Sequence, residues 1–342
     1  MKDAIDLGPA RLACLAMVAM VVLSAMAIIV TPADGQSSKR TPVIGVLGSN
    51  PPTTPQIARN WEGFTARLRE GGWVDGKSVR IEWRWSEGRP ERFRELASEL
   101  VRLDVNVLLC TNSQATQAAM EASNSIPIVF VGTADPVGAG FVRSLARPGG
   151  NVTGVTNQLG DLAGKWLQLG KNVVPQLRRV GIVWNPADPG STLGFKDSQE
   201  TFARFGINLT SVPVKVPEEF DAGFETLSRE RPDFLIVHPS PVIVRNRQRI
   251  AEFAVRHRLP TGTGFRLLTD EGSILLSYGP NTADQLQRGA GYIDRILKGA
   301  RPGDLPVEQP TRFELVVNRR VAKAIGLELT PALLGQADEV ID

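Results

Sequence analysis

Residues able to do covalent chemistry are sparse in this chain. Its histidines are His238 and His257, and its cysteines are Cys14 and Cys110. That inventory excludes a zinc site of four cysteines, a zinc site of paired cysteines and paired histidines, and a disulfide framework. It also argues against a Cys–Cys pair or a Cys–His dyad. His238 stands beside Pro239 with no obvious nucleophile partner, and His257 lies in Arg256-His257-Arg258, where positive charge suits a helix C-terminus. No G-x-G-x-x-G dinucleotide fingerprint and no G-x-S-x-G nucleophile elbow occurs. Gly160-Asp161-Leu162-Ala163-Gly164-Lys165-Trp166 ends in Gly-Lys, but its spacing is wrong for a phosphate loop and no Ser or Thr follows the lysine. Cys110 closes an apolar run and reads as a small core residue.

What remains is a recurrent set of hydroxyls, amides and short polar turns, each placed just after an apolar run. These are Ser49 and Asn50; Thr111, Asn112 and Ser113; Thr133 and Asp135; Thr156 and Asn157; Asn185 and Asp188; His238 and Ser240; and Ser277 with Tyr278. Such groups, with backbone N–H groups at helix starts, bind a carboxylate through the positive helix end. Asp135 is suited to accept from an ammonium group, so the set fits a small zwitterion or another polar molecule. Each residue alone serves equally well as a cap or turn former; the recurrence at strand ends carries the argument. Tyr278 and Phe265 offer rings for stacking on a ligand or for packing. Trp83 and Trp85 alternate about Arg84 and read as packing residues. Arg245, Arg247 and Arg249 read as a solvated helix face, with a docking patch for an acidic partner as the sharper alternative.

The elements that must position these residues follow from hydrophobic periodicity. Strands begin near 43, 79, 105, 128 and 152, and again near 180, 207, 234, 259 and 274. Amphipathic stretches lie between them, such as Ile57, Trp61, Phe64 and Leu68 before Gly71-Gly72. Units of roughly 25 residues with near-continuous apolar strands indicate parallel sheets with crossover helices. The spacing predicts two Rossmann-like α/β lobes related by an internal pseudo-repeat. Ligands of such sheets sit beyond the strands' carboxyl ends. Helices are expected over 113–123, with Ser113 as N-cap, over 241–256 and over 283–297; Tyr278-Gly279-Pro280 reads as a break.

The chain has 342 residues, 39 basic against 36 acidic, a formal charge of +3. That near balance is not a nucleic-acid signature. Leu12 to Val30 is an uncharged apolar run followed by Ala33-Asp34-Gly35, with small residues at the −3 and −1 positions of a signal-peptidase site. Residues 1–35 therefore read as a secretory signal, or as a membrane anchor if uncleaved. Leaving only Cys110, the exported chain has no intramolecular disulfide.

Three motifs carry a family resemblance. Thr133-Ala134-Asp135-Pro136-Val137-Gly138-Ala139-Gly140-Phe141-Val142 runs on into Ser144-Leu145-Ala146-Arg147-Pro148-Gly149-Gly150-Asn151-Val152-Thr153-Gly154. Leu276-Ser277-Tyr278-Gly279-Pro280 is the second. The third is Ile296-Leu297-Lys298-Gly299-Ala300-Arg301-Pro302-Gly303-Asp304-Leu305-Pro306-Val307-Glu308-Gln309-Pro310, followed by Phe313–Asn318 and the tail from Ala322. Across 41–342 the chain resembles ABC-transporter substrate-binding proteins of the tryptophan/tyrosine type, which have the type I periplasmic-binding fold. It departs from them at Asp270-Glu271, where the family carries a Gly-Gly pair, and this alters one cleft edge.

The resemblance implies a periplasmic receptor whose two lobes close on a small polar ligand, an amino acid or aromatic compound, through a three-segment hinge near Thr156, Tyr278-Pro280 and Pro302-Pro306. The lobes would be 41–155 plus about 280–303, and 157–278 plus about 305–342. By matched position, the ligand loops would contain Ser49, Asn112, Ser113, Thr133, Asp135, Thr156, Asn185 and Tyr278. The implied protein is a monomer without cofactor or metal, binds no nucleic acid and catalyses no reaction. It docks on membrane permease subunits served by a separate ATPase. Two other readings are a periplasmic sensor feeding a receptor kinase and an enzyme on the same scaffold. A ligand-responsive repressor is disfavoured, because a signal-like run stands where DNA-binding helices belong.

Overall fold

The computed structural model describes residues 40–52, 54–157, 162–270, 272 and 274–342, and Thr41–Asp342 forms one compact unit. The expected signal segment, Gly160 and Asp161 of the Gly-Lys segment, and Glu271 and Ser273 lie outside the described residues.

The chain opens with β1 (Val43–Gly48), α1 (Pro55–Glu70), β2 (Arg80–Trp85), α2 (Phe93–Arg102), β3 (Val107–Cys110), α3 (Ser113–Ala122), β4 (Ile128–Thr133) and β5 (Val152–Thr156). These strands form one parallel sheet in the order β2-β1-β3-β4-β5. Every residue of β1, β3 and β5 is buried, as expected of parallel strands covered on both faces. Helix α1 starts where Thr54 Oγ1 accepts from the Ile57 N–H (3.3 Å) with Pro55 in the first turn, and it buries Trp61, Phe64 and Leu68. Asn112, not Ser113, caps α3, because its Oδ1 accepts from the Ala115 N–H at 2.8 Å. Ser113 is thereby the first helical residue.

The second half supplies α4 (Ala163–Val173), β6 (Arg179–Trp184), α5 (Pro189–Arg204), β7 (Asn208–Pro213), α6 (Phe220–Glu230), β8 (Phe234–Val237), α7 (Pro241–Arg245), α8 (Arg247–His257), β9 (Thr261–Thr263), α9 (Arg266–Asp270) and β10 (Leu276–Pro280). After α10 (Thr282–Leu297) come β11 (Phe313–Asn318), α11 (Arg319–Ile325), α12 (Pro331–Gln336) and β12 (Glu339–Ile341). The second sheet runs β12-β11-β10-β9-β8-β6-β7, with only the β10–β11 pair antiparallel. The molecule is thus two α/β lobes with parallel-dominated sheets.

Two elements differ from expectation. Tyr278-Gly279-Pro280 is strand, because β11 pairs along it and Gly279, lacking a side chain, lets the Gly264 carbonyl approach. The helix expected over 241–256 is two helices parted at Asn246, whose Nδ2 donates to the Val242 carbonyl (2.8 Å). Helix α10, which lies in sequence between β10 and β11 of the second sheet, packs on the first: Leu286, Ala290, Tyr292 and Ile293 share a core with Ile44, Leu68 and Val131.

The chain passes between the lobes at three adjacent points. Thr156 N–H donates to Glu308 O and Glu308 N–H to Gly154 O, both at 3.0 Å. Asn281 N–H donates to Arg312 O at 3.1 Å. Gln285 Nε2 spans to Thr156 O (3.1 Å) and Asn157 Oδ1 (2.8 Å). Gly154, with φ +151°, is required beside this junction, since an added Cβ would lie 2.0 Å from Phe130 O. Gly154→Ala is expected to cost about 2–3 kcal/mol through overpacking and strain. Urea unfolding of the variant checks this by a lowered midpoint.

Candidate ligand-binding cleft

The two sheets present their carboxyl ends to each other around a cavity of about 200 Å³. From the first lobe it is lined by Ser49 and Asn50 after β1, Trp85 at the end of β2, Thr111, Asn112 and Ser113 between β3 and α3, and Asn60 and Trp61 of α1. From the second come Asp188, Gly190 and Ser191 at the start of α5, Pro239, Ser240 and Pro241 after β8, and Phe265, Arg266 and Asp270. Pro280, Thr282 and Gln285 close it on the hinge side.

Of the eight expected ligand residues, Ser49, Asn112 and Ser113 line this cavity. They form one unit, in which Asn112 Nδ2 donates to Ser49 Oγ at 3.0 Å while its Oδ1 caps α3. The other five lie outside the lining, and the structure shows what occupies them. Thr133 is wholly buried, 3.5 Å from Thr116 Oγ1, and its carbonyl accepts from the Thr156 hydroxyl at 2.8 Å. Thr156 also donates to Ala134 O, which makes it a hinge residue. Asp135 Oδ1 accepts from the N–H groups of Val137 (3.1 Å) and Gly138 (2.8 Å), a turn-forming role. Asn185 Oδ1 likewise accepts from Ala187 N–H. Tyr278 stacks on Phe313 at 5.9 Å, with Lys165 Nζ 5.4 Å from its ring centroid.

Sequence reasoning underweighted the walls. Trp61 stands edge-on to both Trp83 (5.0 Å) and Trp85 (5.5 Å), and Trp83 stacks on Trp85. Trp85 reaches the cavity because β1 ends in glycine: a Cβ at Gly48 would lie 2.4 Å from the indole. The Trp83–Trp85 alternation was visible in the sequence; that Trp61 meets them required the fold. Phe265, one of the two rings offered for stacking, does line the cavity.

Charges in the lining are unevenly satisfied. Arg266, 16% exposed, pairs with Asp270 (3.1 Å), Glu314 (3.3 Å) and Glu339 (2.6 Å). Burial works against its charge, but the three carboxylates outweigh burial and hold its proton more tightly. Burial pushes the Asp270 carboxyl up, opposed by Arg266. Among the described residues, Asp188 accepts only backbone N–H groups, those of Ser191 and Gly190, and burial raises its carboxyl to about 6. Helices α3 and α5 meet N-terminus to N-terminus, with Gly190 packed so closely that an added Cβ would lie 3.1 Å from Ser113 Oγ and 3.2 Å from Ala134. Their partial positive ends suit an anionic or acceptor group held between the lobes.

His238 lies behind the lining, wholly buried, with Nε2 3.3 Å from Ser198 Oγ and its ring against Trp166. Burial lowers its pKa to about 4. Folding favours protonated Asp188, so that contribution to stability is complete below its unfolded value of 3.8 and is lost as pH rises through about 6. Folding favours neutral His238, so its contribution is complete above its unfolded value of 6.5 and is lost as pH falls through about 4. Each is worth about 3 kcal/mol, and between pH 4 and 6 the slopes oppose. Asp188→Asn is therefore expected to make ligand-free stability fall more steeply on acidification, and His238→Gln less steeply. Urea midpoints measured across that range check both; profiles parallel to the unsubstituted protein would refute the assignment.

Comparison with known proteins agrees with this architecture. The chain is 24% identical over 278 residues to a tyrosine-binding protein of Clostridioides difficile (strain R20291), covering 80% of this chain and 78% of that protein. Its fold is similar to an ABC domain in complex with L-Trp from Streptococcus pneumonia, with TM-score 0.79 and 23% identity, covering 88% of this chain and all of that one. It is also similar to the ligand-free, open structure of a substrate binding protein with adhesive properties from Clostridium difficile, with TM-score 0.62 and 22% identity over 88% of this chain and 99% of that one. Residues 53–341 match the family model described as ABC transporter substrate binding protein, and the chain belongs to that family.

Proposed function

We propose that this chain is the extracytoplasmic receptor of an ABC importer, which captures a small polar ligand with an aromatic or apolar face, such as an amino acid. The carrying observation is the cavity lined from both lobes beside a three-strand hinge, because a ligand there bridges two bodies and stabilises their closed arrangement. Residues 41–155 with about 280–303 would move as one lobe, and 157–278 with about 305–342 as the other. Ser49, Asn112 and Ser113 supply polar contacts, joined by Ser240, whose Oγ is buried without a partner, and by Gln285. Thr133, Asp135, Thr156, Asn185 and Tyr278 hold the loops and hinge behind them.

Trp61, Trp85 and Phe265 form an apolar wall fitted to a ring. The relatives' named ligands, tyrosine and L-Trp, support that class. The reading is of binding without turnover, as a monomer, with transport energy supplied by a separate ATPase on the permease. Residues 1–35 would direct export. Among the described residues, no helix is long and apolar enough to cross a membrane.

A thermal-shift screen of the full-length protein against amino acids, aromatic acids, nucleosides and sugars tests the reading. A compound at 100 times its Kd adds about 2.7 kcal/mol of stability. Ser49→Ala is expected to lower that shift by about 1 kcal/mol, with a baseline cost of about 1 kcal/mol or less from the lost bond to Asn112. Asn112→Ala also loses about 1 kcal/mol of baseline stability, through the missing cap. A shift that survives both substitutions undiminished would place the ligand elsewhere, and the absence of any stabilising compound would count against the receptor reading.

A further inference from the structure

Arg245, exposed on the basic helix face, also reaches across between the lobes. From the C-terminus of α7 its Nη1 donates to the Glu87 carbonyl at 2.5 Å. Its stem lies against Gly88, where an added Cβ would stand 2.7 Å from Arg245 Cβ. The receiving turn is built for this approach. Glu87 and Gly88 both have left-handed backbone, with φ 55° and 70°. Ser86 N–H donates to Gly48 O (2.9 Å) and Gly88 N–H to Ser49 O (3.1 Å), tying the turn to the cavity floor. The Glu87 carboxylate is engaged by Arg89 and Arg92, both at 2.9 Å, so the carbonyl is what Arg245 takes. Neither Arg245, Glu87 nor Gly88 lines the cavity.

The position of this contact gives it leverage. Strand β5 runs into the hinge, and β2, which feeds the Glu87 turn, is the opposite edge of the same five-stranded sheet. Strands about 4.8 Å apart place the turn about 19 Å from the hinge strand. Opening by about 10° then moves the rim by about 3 Å, enough to break the hydrogen bond. A hinge opening of that size would therefore separate Arg245 from the Glu87 carbonyl.

We propose that Arg245 is a closing latch, a positioning residue that sets ligand affinity and residence time without touching the ligand. The inference rests on the reading that ligand binds between the lobes. By populating the closed form, the latch raises apparent affinity for every ligand by the same factor. A solvent-exposed, charge-assisted hydrogen bond of this kind corresponds to about two- to fivefold. Val242, Ile243 and Val244 anchor α7 in the core, so removal of the Arg245 side chain leaves the helix seated.

The test is an inter-lobe distance measurement on the full chain by pulsed electron resonance. Spin labels are placed through Val137→Cys and Val216→Cys, both exposed, in a Cys14→Ser background, with Cys110 wholly buried and unlabelled. L-tryptophan and L-tyrosine serve as probes. In Arg245→Ala the closed-to-open ratio is expected to fall about two- to fivefold, with Arg245→Lys between. Apparent Kd for both probes should rise by that same factor, mostly through faster dissociation, with their ratio unchanged. Gly88→Ala, which sets a methyl against the Arg245 stem, should open the cleft from the other lobe and covers the case of a poorly folded Arg245→Ala.

An unchanged closed-to-open ratio in both variants overturns the latch. So does a changed preference between the two probes, which would make Arg245 a ligand contact, and so does a parent protein that stays open with and without every compound of the panel. A parent protein that populates the closed form to an extent no panel compound alters removes the ligand reading instead, while the Arg245→Ala ratio still decides the latch.

Discussion

Three backbone crossings share one small junction, and the rest of the molecule is arranged around the need to keep their polar groups paired. Thr156, Glu308 and Asn281 donate through their main chains to neighbouring crossings, and Gln285 ties the first crossing to α10. Buried peptide groups are costly when unpaired, so bundling the crossings satisfies them in one place. The three crossings are also where the chain links the two sheets, so the cavity and its far rim lie away from them.

The junction also explains why several polar residues at strand ends do not face the cavity. Thr133, Thr156 and the carbonyls of Gly132 and Ala134 are consumed in joining β4 to β5 and to the hinge. Asp135 and Asn185 shape the turns that lead away from their strands. The cavity receives what is left over: the Ser49–Asn112 pair, the starts of α3 and α5, and an indole wall. Its charged groups follow the same economy of partners. Arg266 is satisfied by carboxylates of three different elements, whereas Asp188 has only amides. A buried carboxyl with no cation resists ionisation, which leaves a group in the cleft sensitive to the charge of what enters.

Much of the fold was legible because buried parallel strands and their crossover helices leave strong local patterns. Val107–Cys110 and Phe234–Val237 are continuous apolar runs, and α1 shows its buried stripe at helical spacing. The short late elements α9, α12 and β12 were not legible, since three to six residues carry too little periodicity to be distinguished from loop. Tyr278-Gly279-Pro280 misled because glycine and proline ordinarily punctuate. Here β11 pairs along the segment and makes it strand.

At the site the division is similar. Residue types and their recurrence at strand ends, together with the family motifs, determined that two lobes present polar groups to a ligand between them. Three of the positions expected from the chain, Ser49, Asn112 and Ser113, line the cavity. Only the tertiary structure decided that Trp61 meets Trp85, that Asp188 lies buried without a cation, and that Arg245 reaches the Glu87 carbonyl. The reason is physical. Strand and helix patterns are set by neighbours a few residues away, whereas a side chain's partners across a cleft depend on how two separately folded sheets are turned toward each other.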